Sequence, residues 1–228
     1  MDTETEVATP RAYTKKEEAL IERHRDINVH WEDWHEAVRE QVEEELAEIG
    51  FDMTQMYFSG FWSQGDGACF EGTMSDWAKF CEQVPTFVKA FPFLSEYLKD
   101  EGATYTIGHS GHYYHEQCTN HDYSSELEYG LDQIDEDEIT DPAAQMRYAM
   151  YKKALVEEGE IQRNQYSAIT TWLKEFFQDK MRDLYKRLEQ EYNYLTSDDV
   201  VWESIEANDL DKQGVLDEED EDAEEIDG

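Results

Sequence analysis

The chain has 228 residues, 39% hydrophobic and 13% aromatic, with 56 Asp and Glu against 19 Lys and Arg, a formal net charge of −37. This length predicts one domain with appendages, and the apolar share is enough for a core. The charge argues against direct binding to nucleic acid or to an anionic membrane, because Lys and Arg must neutralise phosphates there, and no basic cluster occurs along the chain.

Residues 209–228 hold eleven acids and one Lys, leaving −27 on the other 208 residues, so the acidity is not confined to the tail. Such a charge serves either solubility or attraction to a basic partner, including imitation of a nucleic-acid backbone. Cys69, Cys81 and Cys118 make an odd count without a CxxC pair, and there is neither a signal peptide nor a long apolar run. The expectation is a reduced, cytoplasmic protein outside the membrane.

In chain order, residues 1–13 are polar and expected to be disordered. Thr14 and Glu17 form a capping-box pattern, and Ile27, Trp31, Trp34, Val38, Val42 and Ile49 recur at helical steps. The spacing predicts one amphipathic helix over 15–49, ended by Gly50, with His30 and His35 half-buried beside the apolar stripe. "QMYFSGFW" and "ACFEG" read as strands joined by "SQGDG", whose glycines suit a tight hairpin corner. A helix is predicted over 75–99, capped by Ser75 and interrupted at Pro85 and Pro92. Residues 103–109 and 112–124 read as a second hairpin around a Ser110–Gly111 turn, followed by acidic loop over 125–139. Asp141 and Pro142 open a long helix reaching about residue 194, with a break near Gly159. Ser197 caps a last short helix, and 209–228 reads as a disordered acidic tail. The fold class is therefore α+β: a small antiparallel sheet from two hairpins, covered by long helices, in a single domain over 14–208.

Several residues carry chemistry in principle. His109, His112, His115, Cys118 and His121 lie three apart. Side chains three apart on a strand point to opposite faces, so only His109 and His112 can meet across the turn, fewer ligands than zinc uses. No metal and no cofactor is expected. Cys69 has no adjacent cation to activate it and reads as a core thiol. Carboxylate pairs such as Asp66 with Glu71 or Asp52 carry little signal among so many acids.

"MYFSGFWSQGDGACFEG" resembles a block, FSGFxSQGDGAxFxG, found in a family of proteins from tailed bacteriophages and prophages that is often labelled antitoxin of a toxin–antitoxin system. "IGHSGHYYHEQCT" is similar to a second family pattern through Ile107, Gly111, Tyr113 and His115, and "LTSDDVVWESIEAN" looks like the family's closing helix. The match covers most of residues 31–208. The resemblance implies a viral or prophage setting in a bacterial cytoplasm. It also implies that Ser63, Gln64, Asp66, Tyr113 and His115 line one pocket or contact surface if the hairpins join one sheet. Two functions follow. The first is an acidic, non-enzymatic protein that neutralises a basic host protein (a toxin, a restriction or defence enzyme, or another nucleic-acid-binding factor) by mimicking nucleic-acid charge. The alternative is an enzyme or small-ligand binder in which Asp66 or His115 exchanges protons and Gln64 holds substrate.

Overall fold

A computed structural model describes residues 11–31, 33–91, 95, 103–125, 141–142, 145–146, 149 and 161–210, with backbone alone over 124–125 and 161–167. The expected disorder at both termini, the acidic loop and the break near Gly159 lie outside the described residues or extend beyond them. Among the described residues are helices α1 (Lys15–Arg23), α2 (Glu36–Glu48), α3 (Trp77–Gln83), α4 (Pro85–Ala90), α5 (Ile161–Leu195) and α6 (Asp198–Ala207). Strands β1 (Phe51–Phe58), β2 (Ala68–Met74), β3 (Ala103–His109) and β4 (Thr119–Ser125) complete the α+β fold. They form one antiparallel sheet in the order β1-β2-β3-β4.

By its contacts the chain divides into two units, residues 38–187 and residues 1–37 with 188–228. In the larger unit the sheet buries one face. Phe51, Phe70, Met74, Tyr105 and Ile107 supply that face, and Ile169, Leu173, Phe177, Met181 and Leu184 of α5 are buried at steps of three or four residues, as a helix stripe must be. Phe177 is the hub. Its ring lies 4.8 Å from Phe51, 5.4 Å from Tyr105 and 6.3 Å from Phe70. Trp77 of α3 donates its indole N–H to Ala103 O at 2.7 Å, which ties α3 to the start of β3. Arg187 holds Glu45 of α2 with two bonds of 2.7 and 3.0 Å, a fork geometry well suited to a carboxylate.

In the other unit, Ile21, Val201, Trp202 and Ile205 form a small core with Tyr13, Leu20, Ile27 and Leu210 packed against it. Where the backbone partners of α5 run out, side chains reach its last carbonyl and that of the residue after it. Asn28 donates to Leu195 O and Arg25 to Thr196 O, both at 3.0 Å.

The capping box at Thr14 and Glu17 is present, and Gly50 closes α2 with φ of +82°. Other expectations are corrected. The predicted helix over 15–49 is two helices, with turns over 24–31 and 33–35 between them. Trp31, expected on the apolar stripe, is exposed, as is His30, whose ring meets Trp31 edge-on. The cap at residue 24 turns its N–H back to Ile21 O and Leu20 O and ends α1 there. β1 starts at Phe51 and stops before Ser59, earlier at both ends than "QMYFSGFW". Asp76, rather than Ser75, caps α3 by accepting the Lys79 amide at 2.9 Å. Pro85 splits α3 from α4, because a proline ring cannot continue a helix. The second hairpin does not turn at Ser110–Gly111. Residues 110–118 form a closed loop and β4 begins only at Thr119, with Ser110 N donating to Cys118 O at 2.8 Å across its neck.

Candidate functional site

Antiparallel pairing places the start of β2 beside the end of β3, so the β1–β2 loop (59–67) and the β3–β4 loop (110–118) project from the same end of the sheet. The loops touch. A Cβ placed on Gly65 would lie 3.4 Å from the Tyr113 ring, and one on Gly67 would lie 2.8 Å from the His115 Cα. The second distance is shorter than real Cβ contacts, so Gly67 is required by the backbone of the other loop. A hairpin corner alone would not demand it.

The first loop is braced by its own polar groups. Ser59 N donates to Gly67 O at 3.0 Å, and Gly67 N returns a bond to Ser59 Oγ at 3.3 Å. Asp66 Oδ2 accepts the amides of Trp62 and Ser63 at 2.9 and 2.6 Å. The Tyr185 hydroxyl donates to Gly60 O at 3.2 Å, and the Tyr185 ring lies 5.6 Å from Phe61. The side chains of Ser63 and Gln64 are exposed on the rim.

Removing the Asp66 carboxylate should therefore loosen the loop. We expect Asp66→Ala to cost about 2 kcal/mol, because two amides lose a charged acceptor, and Asp66→Asn to cost less. Urea melts measure the first effect, and faster exchange of the Trp62 and Ser63 amides localises it. A wild-type melt for Asp66→Ala would show that those bonds hold nothing in place.

The second loop hangs on Glu116, which is buried although it lies in a polar segment. Its carboxylate is 3.3 Å from Arg182 Nη1 and 2.9 Å from His115 Nδ1. Gln117 N also lies 3.2 Å from that histidine nitrogen; a proton on Nδ1 favours the carboxylate contact and a bare Nδ1 favours the amide. Below it runs a directed chain of bonds. The Tyr105 hydroxyl meets His121 Nδ1 at 2.6 Å, His121 Nε2 meets Thr119 Oγ1 at 2.8 Å, and the Thr119 hydroxyl donates to Glu116 O at 2.7 Å. Because Thr119 gives its proton to a carbonyl, His121 must carry its proton on Nε2 and accept from Tyr105 on Nδ1. Desolvation, with a smaller contribution from Lys174, lowers the His121 pKa to about 4, and burial raises that of Tyr105.

Beside the tip, Glu71 accepts the His109 amide at 2.7 Å and the Tyr57 hydroxyl at 3.2 Å. The His109 ring packs 5.0 Å from Tyr57 and 5.3 Å from Tyr114, and its Nε2–H donates to Tyr113 O at 3.1 Å. His112 instead meets the Tyr113 ring at 5.3 Å. No group of three or more His, Cys, Asp or Glu is arranged to hold a metal ion among the described residues. Cys69 is fully buried, and desolvation pushes its thiol up to about 12, so it is a core thiol and not a nucleophile.

Of the residues read from the sequence, Asp66 is joined to its own loop, Tyr113 sits on Gly65, and His115 sits on Gly67 and Glu116. Sequence reasoning missed Trp62, which is 74% exposed in the first loop; Tyr113 in the second is 57% exposed. Trp62 was read as the end of a strand. Glu116 gave no signal among 56 acids.

The molecule is an α+β protein whose four-stranded sheet ends in two interlocked loops. Residues 34–198 match the family described as a domain of unknown function (DUF8835), and the chain belongs to that family. No curated protein and no solved structure matches it. No helix among the described residues is long and apolar enough to cross a membrane.

Proposed function

We propose that this protein is an acidic binding protein of phage type that neutralises a basic host protein in the bacterial cytoplasm by occupying the surface that would meet nucleic acid. The carrying observation is how its arginines are placed in a chain of net charge −37. Arg11 pairs with Glu17, Arg25 with Glu22 and Asp198, Arg39 with Glu43, Arg182 with Glu116 and Asp179, and Arg187 with Glu45 and Asp183. These five cations meet the chain's own carboxylates, in a chain where Asp and Glu outnumber Lys and Arg by 37. That field attracts a partner carrying a phosphate-binding surface and repels nucleic acid itself. The partner class is a toxin, a restriction or defence enzyme, or another nucleic-acid-binding factor.

The internal bonding of Asp66 supports this reading over an enzymatic one. One oxygen of Asp66, Oδ2, is committed to two amides of its own loop, a bracing role rather than one turned to substrate. The test is capture of partners from bacterial lysate by the tagged full chain in about 0.05 M and about 0.5 M salt, the higher of which shortens the screening length to a few ångströms. We expect a basic nucleic-acid-binding protein retained at low salt and released at high salt, whose own activity the purified chain inhibits. Failure to capture any such partner, or a complex indifferent to salt, would overturn the proposal.

A further inference from the structure

We propose that the face of the sheet turned away from α5 is the contact surface for that partner, and that it receives the Lys- and Arg-bearing surface with which a nucleic-acid-binding protein holds phosphates; this location rests on the binding role argued above. The strand register places the acids. Asp52 of β1 pairs with Thr73 of β2, Thr73 with Thr106 of β3, and Thr106 with Asp122 of β4. Cross-strand partners stand on the same side, so these four side chains form one row across the sheet. The adjoining row, Phe51, Met74, Tyr105 and Tyr123, is buried in the core, so the Asp52 row faces the other way. Asp52, Thr106 and Asp122 are exposed and Thr73 is half-buried. Three strand spacings separate the two aspartates, about 14 Å.

An open polar face is ordinary for an antiparallel sheet. The charge on this one is of a single sign. The four strands contain Asp52, Glu71 and Asp122 and no Lys or Arg. Glu71 lies two residues from Thr73 on the same face, and the Tyr57 hydroxyl and His109 amide fix its carboxylate. Asp52 and Asp122 stand on the two edge strands, and neither carboxylate has an ion pair or hydrogen bond among the described residues. Charge on an edge strand also guards against pairing with another sheet, but Lys is the usual guard there. Thr104, Thr106 and Asn120 add exposed hydroxyl and amide groups to the same face. Surfaces that hold phosphates use Arg and Lys together with hydroxyl and amide groups. Unpaired carboxylates among hydroxyls complement such a surface, whereas the phosphates of nucleic acid would be repelled by them.

The test titrates the full chain with hexa-arginine at low salt and follows affinity by anisotropy and the backbone amides by NMR. The extended peptide reaches about 20 Å and can span the row. Asp52→Asn/Asp122→Asn removes two charges from the face. Glu44→Gln/Glu48→Gln removes two from exposed positions on α2 and leaves the same net charge. All four side chains are exposed, so both variants should keep their fold, and the amide spectrum of the unaltered chain gives an independent readout. The expected result is a shift of the Asp52, Thr106 and Asp122 amides in the unaltered chain. Affinity should fall roughly fivefold or more in the face variant and by less than about twofold in the α2 variant. Equal losses in the two variants, or shifts confined to other surfaces, would overturn the location while leaving the acidic binding role intact. Failure of hexa-arginine to bind would overturn both. Movement of the same amides on dilution without peptide would assign the face to a second copy of this chain, and movement with oligothymidylate would assign it to nucleic acid; either would overturn the proposal.

Discussion

Gly72→Ala is expected to destabilise the protein by about 3 kcal/mol or more, enough to remove much of the stability of an ordinary domain. Gly72 lies in β2 between Met53 of β1 and Ile107 of β3. A Cβ there would lie 2.3 Å from Asp52 O and 2.5 Å from Phe51 Cε1. Neither atom can withdraw. The first belongs to the backbone of the paired strand. The second belongs to a fully buried ring wedged 5.5 Å from Phe70 and 4.8 Å from Phe177. The ring crosses the strand where a side chain would otherwise stand, and it is one of three sheet rings that meet Phe177 of α5. Gly108→Ala is the matched control, because a Cβ at Gly108 meets nothing within 4 Å. It should change stability by less than about 0.5 kcal/mol. Denaturant unfolding of both variants decides the matter; near-equal losses would mean that the Phe51 ring can move aside.

That glycine illustrates what the sequence could and could not reveal. The buried stripe of α5 was legible from Ile169, Leu173, Phe177 and Met181, because a helix repeats its face with a fixed period. So were the Thr14 capping box and the Gly50 stop, which are local chemistry. The α+β order followed from the same signals. The break between α1 and α2 was hidden because Ile27, Trp31 and Trp34 continue a helical spacing through it; the turn is visible only once Trp31 is seen to be exposed. The closed loop over 110–118 was hidden for another reason. Its two tyrosines between His112 and His115 suit a strand, and the buried Glu116 in the segment meets Arg182, distant in sequence. Gly65 and Gly67 were read as corner residues for one hairpin. Their neighbours Tyr113 and His115 belong to the other hairpin, and no single-segment pattern can show a contact between two loops.

The tip therefore joins two kinds of sequence constraint. The "SQGDG" glycines and Asp66 shape and brace the loops, while Trp62 and Tyr113 are left to face outward. With Asp66 and Ser59 bonded to the loop's own backbone, the block is a scaffold for the side chains it displays.

The last prediction concerns acid. The folded protein holds His121 neutral with a pKa of about 4, against 6.5 for the free side chain. Its Nδ1 accepts from Tyr105 and its Nε2–H donates to Thr119, so a second proton on Nδ1 would have to displace the Tyr105 hydroxyl proton from this bond. Burial opposes the charge as well, and Lys174 adds to the effect. Between these two pKa values the unfolded chain binds more protons than the folded one, and stability must rise with pH across the window. The contribution of His121 is thus complete above about pH 6.5, declines as pH falls, and levels off below about pH 4. From pH 7 to pH 4.5 the loss should be about 2 kcal/mol. Carboxylates titrate in the same range, and in so acidic a chain their protonation also relieves repulsion, so the wild-type profile alone is not diagnostic. The comparison with His121→Gln is. Glutamine keeps a polar side chain at this position and cannot titrate, so the difference between the two pH–stability curves should change by about 2 kcal/mol over that interval. Parallel curves would mean that His121 is protonated as easily in the folded protein as in the unfolded chain, and that the Tyr105–His121–Thr119 bonds do not hold it neutral.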